Sequence, residues 1–134
     1  MSCFWQGIIS SLTKKDRSFF KLKTKSVSPQ NIYTFILRLK LLNTQTQGVM
    51  WNQEPLSDQQ ILENYQHIKD YDCQTVHDGY DCSCAEPFLC LIAYLLQVNI
   101  FHDYNGHLIK YTIDDKKYFR TLHFSSDTEH FTRG

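Results

Sequence analysis

The chain has 134 residues, 42% of them hydrophobic and 14% aromatic, and its 14 Lys plus Arg balance 14 Asp plus Glu. That is enough apolar material for one core and one domain spanning 1–134, and a formal net charge of zero excludes a global field that would draw the chain to nucleic acid or to an anionic membrane. No stretch approaches the roughly 20 apolar residues of a membrane span, and no basic region followed by an apolar core marks a secretion signal, so a soluble, cytoplasmic monomer is expected.

The first predicted element is a helix from Phe4, with Phe4, Ile8, Ile9 and Leu12 at helical spacing and the polar "TKKDR" ending it. Next, "SPQNIYTFILRLKLLN" predicts a helix capped by Ser28, with Pro29 at its first position and Ile32, Phe35, Ile36, Leu39 and Leu42 on one face. In "SDQQILENYQHI", Ser57 and Gln60 form a capping box, and Ile61, Leu62, Tyr65 and Ile68 form the stripe to be buried. The segment from Asp70 to Cys84 has no periodicity and is expected to be a loop. "EPFLCLIAYLLQ" then predicts a helix with almost no polar face, which must be buried on most sides.

The remainder has strand character. "VNIFH" and "HLIKYTI" flank a turn ending in Asn105-Gly106, a hairpin signal. "YFRTLHF" and "EHFTR" follow, separated by the turn-forming "SSDT". Three or four helices packed on a small, largely antiparallel sheet from the C-terminal half, ending in a meander, define an α+β domain.

Cysteines and histidines carry the candidate chemistry. The five cysteines, Cys3, Cys73, Cys82, Cys84 and Cys90, are an odd number with no secretion signal, which favours thiols over disulfides. Cys3 stands at the start of a helix, where the dipole favours a thiolate. A thiolate nucleophile needs a histidine, which the fold can bring from far along the chain. Of the six histidines, His130 is preferred because it follows a polar turn in the last strand. His67, His77, His102, His107 and His123 are its weaker rivals.

These residues resemble a known family. "SCFWQGIISSL" resembles the catalytic-helix motif of OTU (ovarian-tumour domain) cysteine proteases, and "TLHFSSDTEHF" resembles the closing segment that delivers their histidine. "LCLIAYLLQVNIF" and "NGHLIKY" are similar to the family's buried helix and the strands that follow. The resemblance implies a papain-like fold and a deubiquitinase acting on ubiquitin or a ubiquitin-like protein. In it Cys3 is the nucleophile, His130 the general base and acid, and Thr132 the group that accepts the imidazole N–H. The backbone N–H groups of Ser2 and Cys3 form the oxyanion site, and Trp5 and Phe131 lie along the substrate. No cofactor or metal is implied.

Other readings remain beside this one. Only Met1 and Ser2 precede Cys3, where the family carries Asp-Gly-Asn; a short member with its start upstream, or an inactive module that binds ubiquitin or another protein, fits that departure. Cys73, His77, Cys82 and Cys84 offer four zinc-ligand types, although their spacing is irregular for a structural site. "DCSC" is superficially similar to the nucleophile turn of NlpC/P60 peptidases, with His102 or His107 as partner.

Overall fold

The computed structural model describes residues 2–74, 82–113, 120–127 and 130–134. Among them, five helices and a six-stranded mixed sheet make an α+β domain. No helix among the described residues is long and apolar enough to cross a membrane.

Helix α1 (Ser2–Ser11) is short because Thr13 immediately starts another. The Thr13 hydroxyl accepts the Asp16 N–H at 3.2 Å and the Asp16 carboxylate accepts the Thr13 N–H at 2.9 Å. This capping box opens α2 (Lys14–Phe19) within the polar stretch expected only to end α1. Asp16 also accepts from Arg120 at 2.6 Å, which ties α2 to the start of a strand 104 residues away.

Helix α3 (Pro29–Leu41) begins as expected, with Ser28 capping the Asn31 N–H and Pro29 in the first turn. Ile32, Phe35, Ile36 and Leu39 are buried. In α4 (Asp58–Asp70) the Ser57–Gln60 box forms and Ile61 and Ile68 are buried, but Leu62 is 56% exposed. Helix α5 (Cys82–Leu96) starts four residues before Glu86, inside the segment expected to be a loop; residues 75–81 of that segment lie outside the described residues. Ala85 and Phe88–Ala93 are all buried, because α5 packs against both α4 and the sheet.

The sheet runs β2-β1-β4-β3-β5-β6, with β1 (Val49–Trp51), β2 (Glu54–Pro55), β3 (Asn99–Tyr104), β4 (His107–Ile113), β5 (Thr121–Ser126) and β6 (Phe131–Arg133). Asn105 and Gly106 have φ of 52° and 87°, the left-handed pair that the β3–β4 hairpin requires. The β1–β2 hairpin was not expected: Asn52 and Gln53 take φ of 49° and 71° without a glycine. Asn52 is held there by two bonds to the Lys110 backbone, each 2.8 Å.

Because β1 covers the outer edge of β4, β5 adds to the open edge of β3 and runs parallel to it. The sheet is therefore mixed, and the expected meander does not form. Every other neighbouring pair is antiparallel.

Candidate active site

Helix α1 and strand β6 lie side by side. The Phe131 ring, 2% exposed, sits 4.8 Å from Phe4 and 4.9 Å from Phe124. Further along, the Arg133 guanidinium donates to the Ser10 carbonyl at 3.0 Å. The two elements thus run in the same direction, and Cys3 and His130, each one residue before these contacts, stand at the same end of the α1–β6 contact.

Gly7 sets the separation. A Cβ there would stand 2.9 Å from Cδ1 of Phe131 and 3.1 Å from Cε1. That ring is buried and packed against Phe4, Phe124 and His102. Gly7→Ala is expected to lower stability by about 1–2 kcal/mol, the overpacking cost outweighing the helix propensity gained by alanine. Thermal unfolding checks this: a fall in Tm of roughly 4–8 °C is expected, and an unchanged Tm would contradict the tight α1–β6 contact.

Cys3 is half-buried in the first turn of α1 and is not disulfide-bonded. Ser2 and Cys3 together occupy the positive end of the helix dipole, where an anion is favoured. His130 has a 71% exposed side chain. Its N–H donates to the Asp127 carboxylate at 2.7 Å, and the Asp127 N–H donates back to its carbonyl at 3.0 Å. Nδ1 of the ring is 3.7 Å from the same carboxylate oxygen. Thr132 donates its hydroxyl to the Ser125 carbonyl at 3.3 Å, across the β5–β6 pair.

Trp5 and Phe131 are not available as substrate-lining groups. Trp5 is fully buried among Phe4, Phe35, Phe88 and Tyr71, and Phe131 is the contact between α1 and β6. Both are core residues.

Among the rival histidines, His102 is fully buried on β3, with Nε2 2.6 Å from the Ser126 hydroxyl and its ring 5.2 Å from Phe131. Burial pushes its pKa down to about 4, only partly offset by Asp103. A ring so placed is a neutral anchor for the end of β5, directly before Asp127. His123 is exposed on β5 beside Phe101, His67 packs edge-on to Phe88, and exposed His107 opens β4. Burial and the nearby Glu86 carboxylate push the Cys90 thiol up to about 12, so it is no nucleophile.

Two alternative readings fall largely outside the described residues: His77 is among 75–81, and the side chains of Cys82 and Cys84 are likewise not described. Gly7, Asp127 and the His102–Ser126 pair were missed from sequence. Asp127 had a usable signal, an aspartate three residues before a histidine, the spacing at which a side chain accepts a local backbone N–H. No known protein family, curated protein or solved structure matches the chain.

Proposed function

We propose that this chain is a thiol-dependent hydrolase of the papain-like OTU type, cleaving ubiquitin or ubiquitin-like conjugates through Cys3 and His130. The observation that supports it is the α1–β6 packing, in which the start of the helix bearing Cys3 and the start of β6, preceded by His130, lie at the same end of the contact. Two features separated by nearly the whole sequence are carried on elements that pack side by side, one of them a helix N-terminus suited to an anion.

The chemistry follows the thiol–imidazole pattern. His130 takes the Cys3 proton as sulfur attacks the carbonyl carbon of the scissile amide. Collapse of the tetrahedral intermediate breaks the C–N bond, and the imidazolium returns the proton to the departing amine. Water, deprotonated by the same imidazole, then hydrolyses the thioester to a carboxylate and restores the thiol. Backbone N–H groups of Ser2 and Cys3 are the proposed donors to the oxyanion.

Turnover of ubiquitin carrying a fluorogenic C-terminal amide tests this. The folded wild type should cleave it, Cys3→Ala should abolish cleavage, and His130→Ala should slow it by about 10²–10⁴-fold. Wild type that binds ubiquitin without cleaving would instead identify an inactive binding module, and cleavage surviving Cys3→Ala would overturn the assignment of the nucleophile.

A further inference from the structure

A thiol–imidazole pair works best when a third group fixes the imidazole in one tautomer, so that the nitrogen facing the thiol is the basic one. Thr132, the residue that the family resemblance nominates, carries no charge, and its hydroxyl is directed across the β5–β6 pair to the Ser125 carbonyl. Asp127 is better equipped. One of its carboxylate oxygens accepts the His130 N–H at 2.7 Å and lies 3.7 Å from Nδ1 of the same residue, and the Asp127 N–H closes the arrangement by donating to the His130 carbonyl.

We propose that Asp127 is the positioning residue of the Cys3–His130 pair, its carboxylate holding the imidazole as the Nδ1–H tautomer and leaving Nε2 to exchange the proton with Cys3. The inference rests on the dyad proposed above. The 3.7 Å separation is longer than a hydrogen bond, but the bonds between Asp127 and the His130 backbone keep the carboxylate beside the residue that carries the ring. A small side-chain rotation closes the gap, as catalytic hydrogen bonds commonly do when substrate arrives. Ser126, anchored by His102, fixes the strand from which Asp127 departs.

The discriminating variant is Asp127→Asn, which keeps an oxygen to accept the His130 N–H and so keeps the local backbone bonds while removing the charge. Two readouts are needed. Long-range ¹H–¹⁵N spectra, recorded where the ring is neutral, report the tautomer without any need for activity. The wild type should show Nδ1–H, and Asp127→Asn should shift the ring toward Nε2–H. In turnover of the ubiquitin amide, Asp127→Asn should lower kcat about 10–100-fold with KM and Tm little changed.

A tautomer unaffected by Asp127→Asn overturns the proposal, with or without turnover. Full kcat in Asp127→Asn also overturns it. An Asp127-dependent tautomer in a wild type that does not turn over would uphold the pairing and sink the proposed hydrolase instead.

Discussion

Trp5→Ala is expected to destabilise the domain by about 3–5 kcal/mol, the range for deleting a large aromatic side chain from a core. The indole is fully buried, with edge-on rings at 4.8 Å (Phe4), 4.8 Å (Phe88), 6.0 Å (Phe35) and 6.1 Å (Tyr71). Its N–H donates to the Tyr71 hydroxyl at 3.4 Å. It therefore joins α1, α3, α5 and the segment after α4. Against a typical domain stability of about 5–15 kcal/mol, this loss consumes much of the margin. Urea denaturation measures it directly. A residue that merely lined a substrate channel would behave in the opposite way, raising KM in a protein of nearly unchanged stability.

Acid is expected to weaken the fold through His102. Its pKa is about 4 in the folded state against an ordinary value of 6.5, chiefly because burial disfavours the cation. The unfolded chain therefore binds a proton first as pH falls. The stability that the neutral ring contributes is complete above about pH 6.5, is lost progressively down to about pH 4, and is on the order of 3 kcal/mol. His102→Gln keeps a polar group near the Ser126 hydroxyl and cannot titrate. Its stability should fall less between pH 6.5 and 4 than that of the wild type, in urea titrations run at each pH. Parallel pH curves for the two proteins would contradict the buried neutral histidine.

Where a local signal decided the structure, it could be read directly. Ser28 with Pro29, Ser57 with Gln60, and Asn105 with Gly106 each satisfy or shape their own few residues of backbone, and α3, α4 and the β3–β4 hairpin begin where those signals stand. What was missed depends on distant partners. Asn52 and Gln53 hold left-handed backbone with Asn52 bonded to the distant Lys110 backbone, and β1 is too short to show alternation. The polar start of α2 conceals Asp16, a buried carboxylate that Arg120 compensates from the other end of the chain. β5 lies parallel to β3 because β1 already covers β4, a competition for edges invisible in any single strand.

The candidate site divides in the same way. Cys3 and His130 were legible as residue types suited to a task, but the packing of their two elements rests on the fit of Phe131 over Gly7 and against Phe4, which no local pattern announces. Aromatic neighbours of a reactive residue suggested a substrate channel at Trp5 and Phe131; their burial makes them the scaffold instead. The family resemblance nominates Thr132, after the histidine, as the orienting group, whereas the carboxylate proposed for that role, Asp127, stands before it.

The most direct test is to incubate the folded protein with ubiquitin whose C-terminus carries a thiol-reactive electrophile and to locate the adduct by peptide mass spectrometry. A single adduct on Cys3, lost in Cys3→Ala and slowed in His130→Ala, is the predicted result. No adduct, or one on Cys73 that persists in Cys3→Ala, would contradict the account.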